Sequence, residues 1–349
     1  MWRLESECRC KILFMKIAIV KLSALGDIVH AMIVLQFIKK YNQAIEIDWL
    51  VEESYKELLE PHPDINKVLV VNMKKVKKKK SPYLLYKELR RVRQFGPYDL
   101  VIDMQSLIKS AIISRFIPSK LTLGFDKSSA REGLASIFYN KTFKFSYDKN
   151  VIERNFELIK FALNLPFKLE EVKYKLPFLY FQKKHLNPAL SNIKKNIVLI
   201  PGASFSSKCY PKERFVELTR QIDANYIIIW GSDREKIIAD EIKYQSQHVV
   251  VMDKLSLDAL ISLINQVDLV IGSDTGPTHM AWALNIPSIT LFGPTPGYRN
   301  TCITNINKII ESDSTVNPRK INRSDNSIKN IKVSDISKLA QELLGKVNK

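Results

Sequence analysis

Cysteine is scarce in this chain, and what there is lies scattered. Four residues, Cys8, Cys10, Cys209 and Cys302, cannot build a disulfide scaffold for 349 residues. Cys8 and Cys10 have the wrong spacing for a zinc knuckle and no His or Cys pair to partner them. A reducing cytoplasm is therefore expected. Long hydrophobic runs are missing too: no stretch of 18 apolar residues occurs, which argues against a transmembrane helix. The apolar segment 12–20 follows Arg9 and Lys11 much as a signal sequence would, but Lys16 interrupts it and Lys21 follows it at once. It reads instead as the opening strand of an α/β domain, with Met15 as the expected natural start and residues 1–14 as an upstream extension. Acidic residues are outnumbered, 36 against 54 Lys and Arg, for a formal net charge of +18. That excess favours anionic partners such as acidic lipid, phosphorylated sugar or nucleic acid, and part of it is ordinary solvated surface. Nucleic-acid binding is the weaker reading, because the basic residues do not interleave with stacking aromatics and no known binding module is present.

What is present is ordinary globular composition, 46% hydrophobic and 26% charged, at a length that suggests two domains. Short β-rich runs alternate with helical patterns, the grammar of parallel sheets with crossover helices. Strands are expected at 16–22, 46–52, 67–71, 100–104 and 121–125, with a helix over 28–40. The grammar restarts with strands at 196–200, 226–230, 249–252, 269–271 and 288–292 and helices at 212–222, 234–244 and 257–265. The expectation is a first Rossmann-like domain over 1–180, a second over 196–333 and a terminal helix over 334–349. The stretch 176–195, with Pro177 and Pro188, joins the halves. In such sheets ligands sit at the carboxyl ends of the strands, so both halves would present their loops to a shared cleft.

Several loops carry candidate chemistry. Ile271-Gly272-Ser273-Asp274-Thr275-Gly276-Pro277-Thr278-His279 is a strand-to-helix junction whose helix-start amides suit a diphosphate, with His279 as an added donor. A cap by Asp274 or Thr275 with a packed His279 is the plainer alternative. Pro201-Gly202-Ala203-Ser204-Phe205-Ser206-Ser207-Lys208 lacks the Walker order, yet its small residues, hydroxyls and Lys208 could form the other side of a phosphate clamp. In Trp230-Gly231-Ser232-Asp233-Arg234-Glu235, Glu235 could bind a ribose diol or simply favour a helix start. Asp27, closing Lys21-Leu22-Ser23-Ala24-Leu25-Gly26-Asp27, is a candidate general base or a helix cap; His30 one turn on is expected to be a packed or partly exposed histidine. The segment 103–110 and Arg131 offer polar groups to the same rim. Six lysines between Lys74 and Lys80 read as a loop, followed by an amphipathic helix over 83–95, a pairing attracted to an anionic membrane surface.

These motifs, together with Ala130-Arg131-Glu132-Gly133-Leu134-Ala135-Ser136 and Leu291-Phe292-Gly293-Pro294-Thr295, resemble glycosyltransferase family 9, the bacterial lipopolysaccharide heptosyltransferases. The resemblance runs from about residue 15 to 345. It favours the heptosyltransferase I branch, since the second enzyme usually has Asn-Asp-Ser-Gly where this chain has Ser273-Asp274-Thr275-Gly276. It implies a GT-B fold and inverting transfer of L-glycero-D-manno-heptose from ADP-heptose to the Kdo (3-deoxy-octulosonate) of Kdo-lipid A. It further implies an enzyme peripheral to the cytoplasmic face of the inner membrane, expected to be a monomer. By position, Asp27 matches the family's base, Lys208 the lysine at the donor diphosphate, and Glu235 the acid near the ribose. Asp274, Thr275, Gly276 and His279 match the donor loop. Ser204 stands where threonine is common, and Leu255 replaces a methionine bordering the base. The acceptor side is assigned to Ser23, Gln105, Lys109 and Arg131. No Asp-x-Asp pair lies in these loops, so no obligatory metal or cofactor is expected, ADP-heptose being a co-substrate. The rivals are a nucleotide-sugar epimerase of the same fold and, from another class, the nucleic-acid-binding protein.

Overall fold

The computed structural model describes residues 14–183 and 187–346. Cys8, Cys10, residues 1–13 of the expected extension and the last three residues of the expected terminal helix lie outside that range. The first half holds strands β1 (Met15–Val20), β2 (Ile45–Glu52), β3 (Lys67–Val71), β4 (Tyr98–Asp103), β5 (Ser119–Phe125) and β6 (Lys141–Phe143). Its helices are α1 (Leu25–Met32), α2 (Val34–Tyr41), α3 (Lys56–Leu59), α4 (Met73–Lys79), α5 (Pro82–Val92), α6 (Ile108–Phe116) and α7 (Val151–Leu163). The second half holds β7 (Asn196–Ile200), β8 (Asn225–Ile228), β9 (Val250–Val251), β10 (Leu269–Ser273), β11 (Ser288–Phe292) and β12 (Asn307–Glu311). Its helices are α8 (Lys212–Gln221), α9 (Asp233–Gln245), α10 (Leu257–Ile264), α11 (Gly276–Ala283), α12 (Gly297–Asn300) and α13 (Val333–Lys346).

Both sheets are wholly parallel, and both have one topology. The first runs β3-β2-β1-β4-β5-β6, and the second, read from its β9 edge, β9-β8-β7-β10-β11-β12. Each half is thus a doubly wound, Rossmann-type layer whose strand order reverses beside its first strand. The central strands are continuous apolar runs because helices cover both faces: Ile17 to Val20 and Asn196 to Ile200 are buried throughout. One apolar cluster passes from Ile17, Val29 and Phe37 of the first half through Phe178 to Trp282 and Ala283 of the second. The halves therefore share packed core, and the connecting segment contributes to it through Phe178 and Leu179.

Two local expectations are corrected, and two strands are added. The helix expected over 28–40 begins at Leu25 and divides at Ile33, which keeps helical dihedrals between α1 and α2. Asp27 consequently sits inside the first turn. The lysine run is helix α4 rather than a loop, since lysine is a good helix former and nothing breaks the turn before left-handed Lys80. Strands β6 and β12 lie at sheet edges, are short and partly exposed, and carry too little apolar pattern to be read. Helix α13 packs onto α8 and buries Ile336, Ala340, Leu343 and Leu344 in the core of the second sheet.

Candidate active site

Strand β10 ends at Ser273 and α11 begins at Gly276, leaving Asp274 and Thr275 to make the turn. Pro277 is tolerated in the first turn, where its missing N–H has no helical partner to lose. Asp274 is the hub. One of its oxygens accepts from Lys208 Nζ at 2.7 Å, Thr295 Oγ1 at 2.9 Å and Asn300 Nδ2 at 3.4 Å; the other lies 2.9 Å from His279 Nε2. Burial alone would raise this carboxyl, but Lys208 and His279 outweigh it and hold it well below the usual carboxylate range. With Asp274 ionised, the His279 bond requires its proton on Nε2. Asp274 and Lys208 are each only 9% exposed at the side chain, so the pair holds its charge by mutual contact. An incoming diphosphate would compete for the same ammonium group, beside the amides that open α11.

The opposite wall is the turn after β1. Gln105 Oε1 accepts the backbone N–H groups of Leu22 and Ser23, both at 3.1 Å, and fixes the path of the chain into α1. Lys21 Nζ donates to Met104 O at 2.9 Å. Burial pushes its ammonium down, while the neighbouring Asp27 and Asp103 charges oppose that. Asp103 itself is fully buried and accepts from Ser110, Tyr139 and the amides of Gln105 and Ser106. Asp27 closes the first turn of α1 by accepting the Ala24 N–H at 3.2 Å.

These two walls meet at helix N-termini. A Cβ on Gly26 would stand 2.8 Å from His279 Cδ2, and one on Gly276 would stand 2.5 Å from Leu25 Cδ2. Only hydrogen at both positions lets α1 and α11 approach so closely. One turn deeper the His30 and His279 rings lie 4.3 Å apart, and His30 is buried, as expected of a packed histidine. The turn of α1 that carries Asp27 thereby packs against the start of α11, and two positive helix ends converge there.

The remaining candidates are found in different states. Thr275 is the N-cap residue of α11 but makes no side-chain cap bond; its hydroxyl faces Thr278 Oγ1 at 3.3 Å. Glu235 closes a capping box, accepting from Gly231 N at 2.7 Å and Ser232 N at 3.1 Å, and leans against Gly202 of the Lys208 loop. Ser204 is exposed on that loop, Leu255 is partly buried before α10, and Ser23 is half-buried in the α1 turn. Gln105 is buried with its carbonyl committed to the backbone, which leaves its amide nitrogen for a ligand. Lys109 lies in the first turn of α6, and Arg131 is exposed with no ion pair among the described residues. Sequence reasoning missed the parts played by Thr295, Asn300 and Lys21. Thr295 closes the Leu291–Thr295 motif and Lys21 follows a strand, so a signal existed for both; Asn300 had none.

The family model of glycosyltransferase family 9 (heptosyltransferase) matches residues 84–329. The chain belongs to that family. Membership in glycosyltransferase family 9 makes it a glycosyltransferase and sets aside the epimerase and nucleic-acid readings. Lipopolysaccharide heptosyltransferase 1 of Campylobacter coli is 39% identical over 95% of this chain and 99% of its own length. The Pseudomonas aeruginosa protein of the same name is 31% identical over 81% of this chain and 80% of its own. Both agree with the branch of family 9 that the motifs resemble. The structure of E. coli heptosyltransferase WaaC with ADP superposes with a TM-score of 0.77 at 23% identity, covering 94% of this chain and all of that one. The GT-B fold of the family is thus the fold of this chain.

Proposed function

We propose that the protein is the heptosyltransferase that adds the first L-glycero-D-manno-heptose to Kdo of Kdo-lipid A, using ADP-heptose. The observation that carries the reading is the packing of Gly26, next to Asp27 on one sheet's first helix, against His279 of the Lys208–Asp274–His279 cluster and Gly276 at the α11 N-terminus of the other. A single-displacement transfer needs those two halves. Asp27 takes the proton of an acceptor hydroxyl as its oxygen bonds the anomeric carbon. The bond from that carbon to the diphosphate breaks on the opposite face, which inverts the configuration. Lys208 and the α11 amides stabilise the departing ADP, work that needs no metal. Relatives named lipopolysaccharide heptosyltransferase 1 support the sugar and the pathway, and the ADP in the WaaC structure supports the nucleotide. Ser23, Gln105, Lys109 and Arg131 line the acceptor side; Ser204, Glu235 and Leu255 flank the nucleotide. In this reading residues up to 180 present the acceptor, 196–333 hold the donor, and the enzyme works as a monomer at the inner membrane's cytoplasmic face.

The test is ADP release from ADP-heptose, with and without Kdo2-lipid A, and again after chelation of divalent metal. Release that depends on the acceptor and survives chelation is expected. Release without acceptor would mean hydrolysis, and no release at all would remove the heptose assignment.

A further inference from the structure

The rim of the cleft carries guanidinium groups for which the transfer described above has no use. Tyr147, buried in the segment after β6, is flanked by three of them. Arg299 and Arg319 lie 4.2 and 4.5 Å from its ring centroid, and Arg154 lies 5.3 Å away. The ring and Arg154 belong to the first half; Arg299, on α12, and Arg319, in the segment after β12, belong to the second. Farther along that segment Arg323 stands 5.4 Å from the Phe205 ring, in the loop that ends at Lys208.

Arg154 is explained by its own bonds. Its buried guanidinium donates to the carbonyl oxygens of Phe145, Ser146 and Ser129. Arg299 and Arg319 are not so consumed. Arg299 spends Nε on Tyr147 O at 3.0 Å and one terminal nitrogen on Asn300 Oδ1 at 3.2 Å. Arg319 spends one terminal nitrogen on Ser128 O at 2.8 Å. Among the described residues none of these four arginines has a carboxylate at ion-pair distance. Burial foremost, then Arg299 and to a smaller extent Arg319, pushes Arg154 down to about 10, while Tyr147 and Asp148 oppose the shift. Guanidinium groups gathered around one aromatic ring, with no carboxylate at ion-pair distance, are pre-organised for a planar or tetrahedral oxyanion.

Position narrows the ligand. Through Asn300 the cluster touches Asp274 of the donor loop. Through Arg154 and Arg319 it holds the carbonyls of Ser129 and Ser128, two and three residues before Arg131. We propose that Arg299 and Arg319, backed by Arg323, form an anion subsite that receives a carboxylate or phosphate of the acceptor where the two halves meet. The proposal rests on reading the cleft as one that joins a nucleotide-activated sugar to an anionic acceptor.

The experiment compares wild type with Arg319→Gln, Arg299→Gln and the double variant. Acceptor KM, ADP affinity by calorimetry, and the melting shift produced by free Kdo or inorganic phosphate on ADP-saturated protein are read in parallel. Arg319 is exposed, so its single variant reports on the site even if the Arg299 variants fold poorly. The expected result is an acceptor KM raised about tenfold or more in the double variant, with ADP affinity within about twofold of wild type. The melting shift seen in wild type is lost in the double variant. A larger shift with Kdo than with phosphate would place the carboxylate there; the reverse would place a phosphate. Weakened ADP binding at unchanged acceptor KM would overturn the proposal in favour of a donor contact. Unchanged values throughout would leave a clasp between the halves and nothing more. If wild type shows the ligand-dependent melting shift but no heptose transfer, the functional reading falls and the anion subsite stands.

Discussion

Asp27 has two possible duties, and one substitution separates them. Its carboxylate caps the turn by accepting the Ala24 N–H, a bond that an asparagine carbonyl can also accept. Asparagine cannot accept the proton of a hydroxyl nucleophile. Asp27→Asn is therefore expected to keep the wild-type melting temperature within about 2 °C, the mark of an intact cap. Acceptor-dependent ADP release should fall about a hundredfold, as for loss of a general base. A variant that melts early but turns over at a normal rate would make Asp27 a cap alone. At this scale the sequence pointed to loops more readily than to atoms. Asp274, Lys208 and His279 were legible because each follows a strand at a small-residue turn. The ion pair of Lys208 with Asp274 was not, because it joins positions 66 residues apart. Glu235 shows the converse: the spacing Ser232 to Glu235 spells a capping box, and the box is what forms.

Among elements, the contact of α1 with α11 decides whether the cleft is assembled. Gly276→Ala would drive its Cβ against Leu25, and overpacking of this kind costs about 1–3 kcal/mol. The expected outcome is turnover lowered about tenfold or more, recovered in part by Leu25→Ala, which opens the same space. Full activity in Gly276→Ala alone would mean that the helices do not need this approach. Most strands could be read in the sequence because parallel, doubly covered strands are unbroken apolar runs. β6 and β12 could not, since they carry mixed residues such as Lys141 and Glu311, whereas the edge strand β3 keeps an apolar run from Val68 to Val71. The lysine helix α4 escaped for another reason: among its residues only Met73 and Val76 are apolar, and none is buried, so periodicity had nothing to report.

For the molecule as a whole, charge and protonation make separate predictions. No helix among the described residues is long and apolar enough to cross a membrane. Contact with an anionic bilayer would rest on α4 and Lys80, alongside exposed Tyr83 and Tyr86 on α5. Lys74 is partly engaged by Ser54 and Tyr55, which leaves Lys75, Lys77, Lys78, Lys79 and Lys80. Replacing those five with glutamine should weaken cosedimentation with anionic vesicles at least about a hundredfold, at roughly 1 kcal/mol per lysine near the surface. Unchanged sedimentation would move the membrane contact elsewhere.

Stability should follow His62. Its Nδ1 accepts the Asp64 N–H at 3.2 Å, its Nε2 is buried without a partner, and burial pushes the ring down to about 4 from 6.5. Between those values the unfolded chain holds the extra proton, so stability drops as pH falls through that window, by about 3 kcal/mol in all. His30, lowered by burial and by His279, acts in the same sense. His62→Asn should flatten the dependence of the urea midpoint on pH between 6.5 and 4.5; an unaltered slope would assign it to other groups.

The glycine contact between the two helices also has a mechanical meaning. The halves also meet at Asn150 with Thr301 and at Glu57 with Leu257, and a rotation that opened those contacts while keeping α1 against α11 would have the glycine contact as its fulcrum. Groups near a fulcrum travel little and groups at the rim travel far. A swing that parts Arg319 from Ser128 by several ångströms would then leave Asp27 and Asp274 almost in register.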